Sequence, residues 1–127
     1  MSTTPKGKIL LVEDEPDILF VCKKGLLKRF KVDAFSASEE ALKHFRQHYG
    51  EYELVLTDIR MPKLSGFELA REIRIIRPDI TILFMTAFET TPGEYKDTFP
   101  SADSSHFISK PISISRLEQI VTQHLKV

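Results

Sequence analysis

Four places in this 127-residue chain carry side chains able to do chemistry, and each stands directly after a short apolar run. Glu13 and Asp14 follow Ile9-Leu10-Leu11-Val12, Asp58 follows Leu54-Val55-Leu56-Thr57, Thr86 follows Ile80 to Met85, and Lys110 follows Phe107-Ile108-Ser109. If the runs are parallel strands of one sheet, their ends share an edge, where open α/β sheets place their ligand crevices. Carboxylates gathered there repel and raise one another's pKa unless a cation joins them. With oxygen ligands and no His or Cys cluster, the cation expected is Mg²⁺, which binds one or two carboxylates together with a phosphate and keeps several waters. Lys110 offers a point charge and Thr86 a rotatable hydroxyl, a pair suited to the oxygens of a phosphoryl group. Aspartate can itself be the nucleophile in phosphoryl transfer, so Asp58 is the expected acceptor. Each residue also has a plainer reading, the acids as companions of a helix start and the lysine as a solvated charge. Their joint placement at four strand ends favours the site.

The elements that must position these groups are legible from hydrophobic period. Lys8–Val12, Val32–Phe35, Leu54–Asp58, Ile80–Met85 and His106–Ser109 read as strands, apolar nearly throughout as in a parallel sheet covered on both faces. Between them the pattern turns helical. A helix of about 14 residues is expected from Pro16, with Ile18, Leu19, Cys22, Leu26 and Leu27 inward. Ser36 with Glu39, Ser65 with Glu68 and Ser115 with Glu118 have capping-box spacing and predict three further helix starts. Alternation of strand and helix over one domain's length implies a (βα) repeat five units long with right-handed crossovers. The expected fold class is α/β, a three-layer sandwich, as a single domain over 1–127 with its core at about 7–126.

Composition narrows the function. Lys plus Arg equals Asp plus Glu at 18 each, which leaves no global field for nucleic acid. Cys22 is the only cysteine, so an internal disulfide is excluded and a reducing, cytoplasmic location is expected. No run approaches the roughly 20 apolar residues of a membrane span, so no membrane insertion is expected. His44, His48, His106 and His124 are expected to be structural or exposed rather than ligands.

The ordered set Glu13-Asp14-Glu15-Pro16, Asp58 with Met61-Pro62 and Gly66, Thr86-Ala87 and Lys110-Pro111 resembles a response regulator receiver domain of two-component signalling. The resemblance covers nearly the whole chain. It implies the flavodoxin-like strand order 2-1-3-4-5, and phosphorylation of Asp58 by a sensor histidine kinase or phosphotransfer protein. It further implies Mg²⁺ held by Asp14, Asp58 and the backbone carbonyl of Arg60 with Glu13 assisting, phosphoryl oxygens gripped by Thr86, Lys110 and the Ala87 N–H, and a switch through Thr86 and Phe107. The usual cis bond at Lys110-Pro111 and a downstream effector protein complete the implied set. The chain would catalyse only its own phosphorylation and dephosphorylation and would not otherwise be an enzyme.

One stretch departs from the family pattern. Thr91-Pro92-Gly93 to Phe99-Pro100 leaves room for only a short or displaced helix between the fourth and fifth strands. Arg60 and Phe88, two residues beyond Asp58 and Thr86, are expected to flank the path of an attacking water. The same residues argue against three alternatives. A phosphate-independent scaffold of the same fold is opposed by the intact site set. An aspartyl-phosphate hydrolase would want an acid where Arg60 stands, and a flavin carrier would want a phosphate loop where Glu13-Asp14-Glu15 repels phosphate.

Overall fold

Apolar runs of five to seven residues, too uniformly hydrophobic to face water on either side, set the architecture. The computed structural model describes residues 8–86, 106–110 and 112–125. In chain order these form β1 (Lys8–Val12), α1 (Pro16–Leu26), β2 (Lys31–Phe35), α2 (Ser38–His48), a 3₁₀ turn (Tyr49–Glu51), β3 (Tyr52–Asp58), α3 (Gly66–Ile76), β4 (Thr81–Thr86), β5 (Phe107–Ser109) and α4 (Ile114–His124). The strands make one parallel sheet of order β2-β1-β3-β4-β5, as the family resemblance implied.

Strand pleating divides the interior in two. Leu10, Val12, Val55, Ile82 and Phe84 point to the side covered by α2 and α3, where Ala41, Phe45, Leu69 and Ile73 meet them. Ile9, Leu11, Leu54, Leu56, Leu83 and Met85 point to the other side, against Cys22 and Leu26 of α1 and Leu117 and Val121 of α4. Cys22 is therefore a packing residue.

The helix boundaries differ from the sequence expectation in three places. α1 spans 11 residues rather than about 14, because the chain turns out at Leu27, which is 49% exposed; Gly25 takes the inward place instead. A Cβ on Gly25 would run into the Ile114 side chain, so the glycine is what lets the start of α4 close on α1. Of the three capping boxes only Ser65/Glu68 forms, with Ser65 Oγ accepting from Glu68 N at 3.2 Å and Glu68 Oε1 accepting from Ser65 N at 2.9 Å. α2 is capped by Ala37 without a side-chain bond, and Ser38 Oγ donates instead to Leu64 O at 2.7 Å, tying α2 to the β3–α3 loop. α4 starts two residues early, on Ser113, whose hydroxyl accepts from Arg116 N. The stretch 91–100, Ala87, Phe88 and the Lys110-Pro111 bond lie outside the described residues.

Candidate functional site

Strand register brings the expected residues together. Val12 pairs with Thr57, Asp58 with Met85, and Thr86 with Ser109. Glu13, Asp58, Thr86 and Lys110 therefore end four neighbouring strands at one edge, Glu13 level with Asp58, and Thr86 and Lys110 each one residue further on. Three backbone bonds hold the rim: Glu13 N donates to Phe35 O at 3.1 Å, Ile59 N to Met85 O at 3.1 Å and Lys110 N to Thr86 O at 2.8 Å. Pleat parity then sorts the side chains. Glu13, Asp58 and Lys110 continue the positions of Leu11, Leu56 and Ile108, all on the α1/α4 side, whereas Thr86 continues Phe84 on the α3 side.

The three groups of like parity meet. Lys110 Nζ lies 2.7 Å from Glu13 Oε1, 3.1 Å from Asp58 Oδ2 and 3.8 Å from Glu15 Oε1. Glu13 is fully buried, and Asp58 and Thr86 are each 6% exposed. Glu13, Asp14 and Asp58 each offer an oxygen within 4.8 Å of the others, the one such group of three among the described residues. Glu13 Oε2 accepts from Glu15 N at 3.1 Å. Its Oε1 meets the ammonium as a charge contact but has no hydrogen bond of good angle among the described residues.

The electrostatics follow from that geometry. Burial pushes the Glu13 carboxyl up to about 7; Lys110 and the Glu15 N–H pull it down, and the Asp58 charge adds to the rise. Burial also works against the Lys110 ammonium, but its bonds to Glu13 and Asp58 outweigh it and hold that pKa above its ordinary value. The lysine is thus charged at neutral pH, clamped between two carboxylates.

Gly66 completes the approach. A Cβ there would collide with the Asp58 carbonyl oxygen and stand 2.9 Å from Ile59 Cα, and Gly66 N donates to Ile59 O at 2.8 Å. The first turn of α3 can rest directly on the backbone that carries Asp58 only because this residue lacks a side chain. Phe107 is half-buried, its ring stacked on Phe84 at 5.2 Å and tilted toward Phe67 at 6.2 Å between centroids. Arg60 is exposed in the turn after Asp58. Ala87 lies outside the described residues.

Residues 9–122 match the family described as response regulator receiver domain. The chain belongs to that family. The receiver is 33% identical over 124 residues to the transcriptional regulatory protein SpaR of Bacillus subtilis, covering 94% of this chain and 52% of SpaR. It is 34% identical over 119 residues to the regulatory protein VanRB of Enterococcus faecalis, covering 90% of this chain and 52% of VanRB. It thus spans about half the length of each. Among solved structures, a response regulator receiver domain protein from Clostridium thermocellum superimposes with a TM-score of 0.82 at 28% identity, covering 94% of both chains.

The histidines play no part in the receiver's acidic pocket. His44 and His48 stack at 4.3 Å on α2, with His44 Nε2 3.6 Å from Asp33 and His48 Nδ1 2.9 Å from Glu51. Their i,i+4 spacing suits metal ligation, but they do not converge with a third ligand among the described residues. In the sequence Gly66 stands out only as part of the motif. Its role in spacing emerges from contacts between distant backbones, for which the local sequence carries no signal.

Proposed function

We propose that Asp58 is the phosphoacceptor of this receiver and that its modification requires Mg²⁺. The observation that carries the reading is the pocket itself, three carboxylates within 4.8 Å of one another, two of them on a buried ammonium that touches Asp58 at 3.1 Å. Three carboxylates and one lysine leave a net negative charge in a largely dehydrated place. The donor set, all oxygen, fits a hard divalent cation. Asp14 and Asp58, the Arg60 carbonyl and Glu13 would hold it, and the ion would supply neutralisation of the carboxylates and of the incoming phosphoryl oxygens.

The remaining work falls to the chain. A carboxylate oxygen of Asp58 forms the new bond to phosphorus as the phosphorus–nitrogen bond of a donor histidine breaks, and the electron pair leaves with the imidazole. Lys110, kept charged by its carboxylate neighbours, moves its charge onto the phosphoryl group as Asp58 becomes an acyl phosphate. Thr86, on the neighbouring strand end, offers its hydroxyl to another oxygen. Because Phe84 and Thr86 share one face of β4 and Phe107 stacks on Phe84, a shift at Thr86 reaches the β5 surface through packed rings. The donor would be a sensor histidine kinase or phosphotransfer protein, the recipient of the signal an effector protein, and the compartment cytoplasmic. Catalysis would extend to self-phosphorylation and self-dephosphorylation alone.

The test is intact-protein mass after incubation with acetyl phosphate and Mg²⁺. A single phosphoryl increment is expected in the natural sequence and none in Asp58→Asn or in the presence of chelator. An increment that survives Asp58→Asn overturns the assignment.

A further inference from the structure

The charge balance of the whole chain conceals a strong local imbalance. Between Asp17 and Asp33 stand Lys23, Lys24, Lys28, Arg29 and Lys31 with no acid at all. Two of these lie on the exposed side of α1 itself. At 100° per residue Phe20 and Lys24 stand about 40° apart, flanked by Val21 and Lys23, and Leu27 and Lys28 follow in the turn that leaves the helix after Leu26. All six are exposed, Phe20 at 63% and Val21 and Leu27 at 49%, while Cys22, Gly25 and Leu26 occupy the buried side. Lys24 Nζ lies over the Phe20 ring, 5.8 Å from its centre, a cation–π contact at an exposed site. Arg29 is paired with Glu118 at 3.6 Å, whereas Lys23, Lys24, Lys28 and Lys31 have no acidic partner among the described residues.

We infer that this face of α1 attaches the domain peripherally to an anionic lipid surface. The occupant follows from how charge and apolar groups are mixed. The cores of protein–protein interfaces are depleted in lysine, which collects at their rims. Here a lysine lies over the central aromatic. Interleaved lysines and apolar side chains on a convex helix match a bilayer interface, where the apolar groups enter the acyl boundary and ammoniums remain at the headgroups. Lysine is a non-directional point charge and needs no fixed counterpart, unlike the forked guanidinium. The attachment requires no spanning helix, and no helix among the described residues is long and apolar enough to cross a membrane. It also leaves the acidic pocket free, since that pocket lies beyond the N-terminal end of α1 and the nearest member of the face, Phe20, stands about 6 Å along the axis past Pro16.

The experiment is co-sedimentation of the protein with phosphatidylcholine vesicles containing phosphatidylglycerol and with pure phosphatidylcholine vesicles. Binding to the first and not the second is expected, weakening at about 0.5 M salt where screening is nearly complete. Each lysine near an anionic surface contributes about five-fold in partitioning, so Lys24→Glu with Lys28→Glu should weaken binding by at least about 25-fold. Phe20→Ser with Leu27→Ser should weaken binding while keeping its salt dependence. All four side chains are exposed, and an unchanged thermal melt verifies that the variants fold. Lys43→Glu with Lys63→Glu, on and beside α2, applies the same change of net charge elsewhere and should leave binding within about two-fold, being outside the contact. Equal loss in this pair would mean that net charge, not α1, governs, and overturns the inference. So would failure to bind the phosphatidylglycerol vesicles, including the case where the protein binds an acidic polypeptide such as polyglutamate but no vesicle. The outcome is independent of phosphorylation, since Asp58→Asn should bind vesicles as the natural sequence does.

Discussion

Substituting Gly66 by alanine tests whether α3 sets the position of Asp58. The added methyl would collide with the Asp58 carbonyl oxygen and stand 2.9 Å from Ile59 Cα and 3.0 Å from the Asp58 carbonyl carbon, all of it backbone that cannot rotate aside. Ordinary carbon contacts lie at about 3.5 to 4.0 Å, so the β3–α3 junction must open by on the order of 1 Å. Gly66 N, bonded to Ile59 O at 2.8 Å, would be strained by the same movement. Overpacking of this kind costs about 1–3 kcal/mol, which for a domain of this size lowers the melting temperature by roughly 4–12 °C. The chemical effect should be larger. A displacement of about 1 Å at the nucleophile costs on the order of 100-fold in rate, because Asp58 must keep its alignment with Lys110 and the metal ligands. The assay is the initial rate of phosphorylation from acetyl phosphate at saturating Mg²⁺, read by intact mass, beside a thermal melt. Gly50→Ala is the control, since a Cβ at Gly50 meets nothing within 4 Å. If Gly66→Ala phosphorylates within about three-fold of the natural sequence while folded, the claim that α3 positions the acceptor is wrong.

Further outcomes follow from the same coordinates. The raised Glu13 pKa makes the metal-free protein most stable, as far as this group is concerned, below its unfolded pKa near 4.5, and that contribution is lost as pH rises through about 7. Urea titrations in chelator from pH 5 to 8 should therefore show falling stability, by at most about 3 kcal/mol, and Glu13→Gln should flatten the trend. Glu51, held down to about 2 chiefly by Lys8 and then His48, titrates below that window and does not confuse it. Lys63 has φ 68°, a left-handed conformation costing a side chain about 1 kcal/mol, so Lys63→Gly should raise the urea midpoint slightly without altering phosphorylation. Ser65→Ala removes a formed capping box and should cost about 1 kcal/mol, while Ser36→Ala, where no box forms, should be nearly neutral by the same measurement.

The contrast between those two serines shows what could be read in advance. Strands were legible because burial on both faces demands uninterrupted apolar residues, and Lys8–Val12 and Leu54–Asp58 carry that demand in their composition. The acidic pocket was legible for a related reason: in a parallel sheet, whatever ends a strand must join the same edge. Capping was less so, because a serine three residues before a glutamate forms a box only if the chain reaches the helix at that residue. The exit from β2 delays α2 until Ser38, whose hydroxyl is then drawn to Leu64 O. α4 is capped by Ser113 although the residue three places on is Arg116, which lacks the acid that marks the pattern. Leu27 looked like core because the helical period continues through it, but the helix stops at Leu26. The places of Gly25 and Gly66 depend on how closely two elements approach, a property of the assembled fold.

Lys110 gives the pocket an internal counter-ion. Pinned to Thr86 O through its backbone and to Glu13 and Asp58 through its ammonium, it lets the buried acids remain together before any ion arrives. On the proposed function, a magnesium ion entering the site would have to compete with this resident cation, which would hold its affinity down and keep it exchangeable. The pocket could then fill and empty without unfolding, and the readiness of Asp58 to accept a phosphoryl group would track the free magnesium around it.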